Sequence, residues 1–147
     1  MFTRYNILRW ICFIPAGFIS AFLVSFPVHW FVMVNLGGWA FDPLIVIDSE
    51  QTLRAIELFL QAGAGSLAFV YFASSTAPSH RFFVSIFLAV IVTLGLEFAV
   101  YWLNVELDSG GSNYEFRGGF YNTVARVVGA TAASYLIWHS EKRQSDL

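Results

Sequence analysis

Four long apolar segments constrain the fold of this chain more than any other feature. The first runs from Trp10 to Val34 without a single Lys, Arg, Asp or Glu. A membrane-spanning helix needs about 20 apolar residues, because the hydrocarbon core is about 30 Å thick and each residue adds about 1.5 Å. We therefore predict an all-α membrane protein, a four-helix bundle in one domain over residues 1–147. Its predicted helices cover about residues 7–34, 52–74, 81–103 and 119–139.

The composition agrees with a membrane protein and argues against a nucleic-acid partner. Of 147 residues, 57% are hydrophobic and only 12% are charged, far from an ordinary soluble composition. The eight Lys and Arg residues are scattered, and the formal net charge is −2. A nucleic-acid partner would need a basic face for its phosphates. We expect the lipid bilayer as the main partner and no nucleic acid.

The distribution of cations predicts the orientation, because Lys and Arg near the ends of spans stay on the cytoplasmic side. One side of the predicted bundle receives most of them: Arg4, Arg9, Arg81, Lys142 and Arg143. The other side receives most of the acidic residues, with Arg54 and Arg117 as exceptions. No small-residue cleavage site follows the first segment at the expected place, so we expect it to be retained. We predict a bacterial inner (plasma) membrane protein with both termini cytoplasmic.

Two opposite charges, Glu97 and Arg126, lie inside the last two apolar segments. Each would be costly alone in lipid and has a physical reason to find the other. Counting along the helices, Glu97 lies about 9 Å before the outer end of the third segment. Arg126 lies about 10 Å past the outer start of the fourth. We therefore predict an intramembrane ion pair between them.

Further polar residues fall at the same depth. Glu57 and His29 each lie about 8 Å inside the outer ends of their segments. Residues three or four apart share a helix face, which adds four neighbours of these ionisable groups: Arg54, Gln61, Tyr101 and Asn122. The predicted polar cluster therefore has eight residues: Glu97, Arg126, Glu57, His29, Arg54, Gln61, Tyr101 and Asn122.

Three interpretations of the predicted polar cluster remain open. In the first, the cluster fixes helix register through a buried ion pair whose remaining donors and acceptors are hydrogen-bonded. In the second, it binds a membrane-protein partner, a second copy or a lipid headgroup. In the third, it lines a proton-coupled path. Below it no second ionisable group occurs until His80 and His139, so no continuous relay is evident. We expect a non-enzymatic accessory or partner- or lipid-binding component of the cell envelope. The alternative is a small oligomeric proton-coupled transporter or channel.

Enzymatic interpretations have less support in the sequence. His29 is predicted on the outer side while His80 and His139 are inner, so the three cannot share one metal site. The chain has one cysteine, Cys12, and no HExxH motif. Ser25 lies one turn from His29 but without GxSxG context. We therefore predict no enzyme activity, no catalytic residue, no metal and no cofactor.

Small and polar residues also recur every fourth position, which lets helix backbones approach one another. The clearest rows are Gly17-Ala21-Ser25, Glu57-Gln61-Gly65 and Ala125-Gly129-Ala133. We interpret these rows as the inward faces of their helices. The run Gly63-Ala64-Gly65 is interpreted as a point of close helix packing rather than a nucleotide-binding loop, because it lacks the strand-turn-helix context.

The last third of the chain resembles a known family. The matching features are Leu96-Glu97 in the third segment, Arg117 just before the fourth, and the Gly129-Ala130 step. With these the hairpin is similar to the VanZ-like family of small polytopic envelope proteins, which is associated with teicoplanin resistance. The resemblance implies an envelope-associated function, and no site residues are transferred from it.

Overall fold

The computed structural model of the protein describes residues 4–36, 49–108 and 119–145, and these form four long α-helices. Helix α1 covers Arg4–Phe31 and continues into a π-helical turn, Val32–Leu36. The other helices are α2 (Ser49–Thr76), α3 (Arg81–Asp108) and α4 (Gly119–Ser145). No β-strand occurs in these three ranges. The predicted all-α class and the four helices are confirmed.

The helices extend past the apolar segments that predicted them. Helix α2 begins at Ser49 and ends at Thr76, α3 continues to Asp108, and α4 continues to Ser145. Apolar residues mark the part of a helix that leaves water, whereas backbone hydrogen bonding continues into polar residues beyond it. The predicted bounds were therefore too short at the polar ends.

Two stretches of the described helices are long and apolar enough to cross a membrane. They are Ile7–Asn35 in α1 with its π-turn, and Thr52–Thr76 in α2. Helix α1 keeps many large apolar side chains exposed, among them Phe22, Phe26 and Trp30. Its outer surface is thus as apolar as the face that it packs against α2.

Helix α2 lies at the centre of the bundle. It packs against α1 on one side and α4 on another, while α3 packs against α4 and α2. Among the described residues, α1 packs against neither α3 nor α4. The core is built from three helices: Phe69, Val70 and Ala73 of α2, Leu88 of α3, and Ala130 and Ala133 of α4. We call the end where α1 and α3 finish the distal end, and the opposite end the proximal end.

Two arginines at the proximal end bind carbonyl groups where α2 ends, one at its last residue and one at the residue that follows it. Arg9 Nε donates to the carbonyl of Thr76 at 3.0 Å, and Arg81 Nε donates to that of Ala77 at 3.2 Å. Carbonyls at a helix C-terminus lack intrahelical donors and carry the negative end of the helix dipole. These cations therefore tie α1 and α3 to the end of α2.

The turn between α2 and α3 reverses the chain within four residues, 77–80. Pro78 cannot continue α2 because it has no backbone N–H. His80 has a φ of 52°, in the left-handed region that few non-glycine residues adopt. Its carbonyl accepts a hydrogen bond from the Val84 N–H at 3.0 Å. The reversal brings α3 back along the bundle.

Helices α2 and α4 approach each other closely at Gly63 and Gly129. A Cβ atom added at Gly129 would collide with the Gly63 carbonyl oxygen and lie 2.6 Å from Ser66 Oγ. The Ser66 hydroxyl contacts the carbonyls of both helices, Gly63 at 2.9 Å and Arg126 at 3.1 Å. The predicted close packing is confirmed at Gly63. Gly65 does not share it, since a Cβ there meets nothing within 4 Å.

We expect Gly129→Ala to destabilise the protein by about 1–3 kcal/mol, the usual effect of overpacking a close contact. The alanine methyl group would force α4 away from the Gly63 carbonyl. Thermal unfolding in mild detergent, followed by circular dichroism, measures the effect.

The matched control is Gly65→Ala, which gains the same helix propensity of about 1 kcal/mol without a clash. It should keep or raise the melting temperature. Equal melting temperatures for the two variants would contradict the close crossing at Gly129.

Candidate functional site

A hydrogen-bonded group at the distal end joins α1 to α2. His29 Nδ1 lies 2.6 Å from Glu57 Oε1. Gln61 Nε2 donates to the same oxygen at 2.8 Å. Three members of the predicted polar cluster thus meet at one carboxylate, and we call them the His29–Glu57–Gln61 group.

Helix geometry explains why this group forms. Glu57 and Gln61 are four residues apart on α2 and therefore share a face. Helix α1 packs along that side of α2 and brings His29, close to its distal end, to the same level. The Glu57 side chain is 15% exposed and that of His29 is 52% exposed. A carboxylate so far removed from solvent needs hydrogen-bond donors, and its neighbours supply them.

Three other members of the predicted cluster are described by the structure, and they lie in two different places: Asn122, Arg126 and Arg54. Asn122 and Arg126 are partly buried on α4 and line the same cavity as Gln61. Arg54 is exposed on α2 and is not part of the His29–Glu57–Gln61 group. Glu97 and Tyr101 belong to α3, but their side chains lie outside the described residues. The Glu97–Arg126 ion pair stays a prediction.

A cavity of about 560 Å³ lies between α1 and α3. Its walls are residues along one face of each helix: Phe18, Ala21 and Ser25 of α1, and Ile91, Val92 and Gly95 of α3. These two helices do not pack against each other in the part of the chain that the structure describes. We call this space the α1/α3 cleft.

The floor of the α1/α3 cleft changes from polar to apolar along its length. Gln61, Gly65 and Phe69 of α2 line it at intervals of four residues, one face of the helix. Asn122 and Arg126 of α4 line it as well, at the distal end with Gln61. The cleft therefore has a polar distal end, which adjoins Glu57 through Gln61, and an apolar remainder.

Two glycines leave space in the α1/α3 cleft. A Cβ atom added at Gly65 or Gly95 would meet nothing within 4 Å. The row Glu57-Gln61-Gly65 is predicted to be an inward face of α2; Glu57 on it contacts His29 of α1, while Gln61 and Gly65 line the cleft. Gly95, Phe18 and Ile91 were not predicted as site residues, because cleft-lining and lipid-facing positions show the same apolar pattern in sequence.

Other chemistry considered from the sequence has little structural basis in the described residues. The Ser25 hydroxyl donates to the carbonyl of Phe22 at 2.6 Å, one turn back in its own helix. No group of three or more His, Cys, Asp or Glu side chains that could hold a metal ion occurs among the described residues. The site combines a hydrogen-bonded carboxylate, a guanidinium and two side-chain amides, and these groups lie beside an apolar cleft.

Comparison of the chain with protein-family models, curated proteins and solved structures gives no match. The resemblance of the C-terminal hairpin to the VanZ-like family therefore stays a prediction.

The contact between His29 and Glu57 can be measured with a double-mutant cycle of His29→Ala and Glu57→Ala. We expect a coupling free energy of about 1 kcal/mol, since a hydrogen bond to a charged group contributes more than a neutral one but His29 is half exposed. Thermal or denaturant unfolding in mild detergent gives the four stabilities.

The control cycle pairs Glu57→Ala with Ser140→Ala. The Ser140 hydroxyl donates to the carbonyl of Ile137 in its own helix at the proximal end, at 2.8 Å. These two changes should be additive within about 0.5 kcal/mol. A His29–Glu57 coupling no larger than this control would show that the contact contributes nothing to stability.

Proposed function

We propose that the protein is a non-enzymatic integral membrane protein, an accessory or recognition component of the cell envelope. Its four helices cross the bilayer, and its distal end recognises a membrane partner or lipid. The supporting observation is the junction of the His29–Glu57–Gln61 group with a cleft that is apolar along most of its length. Binding sites for amphipathic ligands combine an apolar surface with a few placed polar groups.

The exposed surface supports membrane insertion. Large apolar side chains point outward on helices on both sides of the cleft: Phe22, Phe26 and Trp30 of α1, and Phe87, Leu94 and Phe98 of α3. Soluble monomers rarely expose contiguous apolar patches above a few hundred Å². In a bilayer the same surface contacts acyl chains without penalty. Helices α1 and α2 also have the length and composition of membrane spans.

The cations at the proximal end support a cytoplasmic location for both termini. Arg9 and Arg81 donate there to the carbonyls of Thr76 and Ala77, at the end of α2. Lys142 Nζ lies 5.6 Å from the centre of the Trp138 ring, and Trp is typical of membrane–water interfaces. The positive-inside rule places such an end in the cytoplasm. The distal end then faces the outside.

This orientation gives the depth of the candidate site. A hydrocarbon core of about 20 helical residues, counted from the proximal interface near Arg9, Thr76 and Lys142, ends near His29, Glu57 and Asn122. His29 and Glu57 then lie at the outer interface, and Gln61 lies about one turn below it. Arg126 lies one turn deeper, within reach of the interface for a side chain of its length.

Proton-coupled transport is the second candidate function, and one contact favours it. An imidazole beside an intramembrane carboxylate, as His29 lies beside Glu57, is a combination found in proton relays. The two candidates differ in what Glu57 does: it holds donors in place for recognition, or it takes up and releases a proton.

The proposed topology predicts a labelling pattern for single cysteines introduced into a Cys12→Ser background. Ser112→Cys, between α3 and α4, should react with a membrane-impermeant maleimide added to intact cells. Ser140→Cys, near the proximal end, should react only after the membrane is permeabilised. Equal reactivity of both positions in intact cells would contradict the four-span topology.

Recognition at the distal end predicts position-specific crosslinking. A photoreactive phenylalanine analogue placed at Trp30 should capture one specific protein or lipid neighbour in cells. Glu57→Ala should abolish the capture, because it removes the oxygen that Gln61 and His29 share. The control position is Phe83, which is exposed at the proximal end and should give different products. Identical products from both positions would contradict recognition. Transport would be favoured instead if the protein supports a proton-driven flux in proteoliposomes and Glu57→Gln abolishes that flux.

A further inference from the structure

We propose that the α1/α3 cleft binds one acyl chain of an anionic phospholipid, whose phosphate group lies at Gln61, Asn122 and Arg126. This inference rests on the proposed membrane insertion and names the ligand class for the distal site. The size of the cleft, its lateral opening and the position of its polar end support this assignment.

The cleft has the size and shape for a chain-like ligand. Its volume of about 560 Å³ falls within the range of about 300–1,000 Å³ that small-molecule sites occupy. The floor from Gln61 to Phe69 extends about 12 Å along α2, at about 1.5 Å per residue. A space of this length with apolar walls accommodates a section of an extended hydrocarbon chain.

The cleft opens sideways, in the direction from which lipids arrive. Phe18, Leu58 and Ile91 line it and yet are 64%, 46% and 47% exposed. They therefore form a rim between the cleft and its surroundings. Within a bilayer those surroundings are acyl chains, so a chain can enter between α1 and α3 without crossing water or a polar barrier.

The polar end of the cleft suits a phosphodiester. Arg126 carries five N–H donors in a planar fork, and Asn122 and Gln61 add amide N–H groups. Guanidinium groups bind phosphate oxygens in a bidentate manner. A guanidinium that already has a protein partner can still bind a phosphate, because its N–H groups point in several directions. Gln61 gives one N–H to Glu57 and retains the other.

The depth of these donors matches the position of a lipid phosphate near the outer interface. Counted from the proximal interface, the hydrocarbon core of about 20 residues ends near Asn122. Arg126 reaches this level because long cationic side chains extend toward the interface from one turn below. The chain then descends toward Phe69, where the cleft is apolar.

The experiment reduces the volume of the cleft by replacing two glycines that line it with leucine. Gly65→Leu and Gly95→Leu place side chains in space where a Cβ meets nothing within 4 Å, and a helix former replaces glycine. Each variant should therefore fold at least as stably as the wild type, as thermal unfolding by circular dichroism checks. The control Val128→Leu adds bulk on the exposed face of α4, where Val128 is 62% exposed.

The readout is native mass spectrometry of protein reconstituted in vesicles of equimolar phosphatidylglycerol and phosphatidylcholine, then extracted in mild detergent. The wild type and Val128→Leu should retain one phosphatidylglycerol molecule. The two cleft-filling variants should retain about tenfold less, equivalent to a loss of about 1.4 kcal/mol in binding. Arg126→Gln should bind the two lipids without preference.

Several results would overturn the inference. They are retention of lipid by both cleft-filling variants, equal retention of the two lipids by the wild type, or a lipid-free dimer in which a second copy covers the cleft. Cysteine labelling separates these failures from failure of the proposed function. A protein that shows the four-span labelling pattern but retains no lipid overturns the lipid site alone.

Discussion

The crossing of α2 and α4 at Gly63 and Gly129 is the contact on which the distal site depends. Neither residue has a side chain, so the backbones approach until the Ser66 hydroxyl contacts carbonyls of both helices. This contact sets the register of α4 against α2. Arg126 and Asn122 lie about one and two turns before Gly129, so the same register brings them to the cleft floor beside Gln61.

The cleft follows from the way α1 joins this core. Among the described residues, helix α1 packs on α2 and not on α3 or α4. At this interface an added Cβ at Gly17 would lie 2.9 Å from the Phe69 ring. The Ser20 hydroxyl lies 3.2 Å from the Ala68 carbonyl on the same interface. Helix α3 is held instead by α4 and α2. Among the described residues, α1 and α3 both pack on α2 but not on each other, and this leaves a gap between them.

Much of this arrangement is predictable from the sequence. The features that are not predictable depend on how the helices pack against one another. Apolar segments predicted four helices but not their polar ends. Depth along the helices predicted that His29 and Glu57 lie at one level, because antiparallel helices of similar length bring equivalent depths together. The four-residue spacing predicted that Gln61 shares the face of Glu57. The roles of Gly63 and Gly65 were not separable. They are two residues apart in one helix, and only the positions of its neighbours decide which is packed and which faces open space.

A structural role for the polar residues at the distal end is compatible with a role in recognition. Glu57 accepts a hydrogen bond from Gln61, which fixes the orientation of the Gln61 amide and leaves one N–H and the carbonyl oxygen for the cleft. His29 holds the same carboxylate from α1. A donor fixed before its ligand arrives loses less conformational entropy on binding. The contacts that join α1 to α2 at the distal end thus also position a donor at the polar end of the cleft.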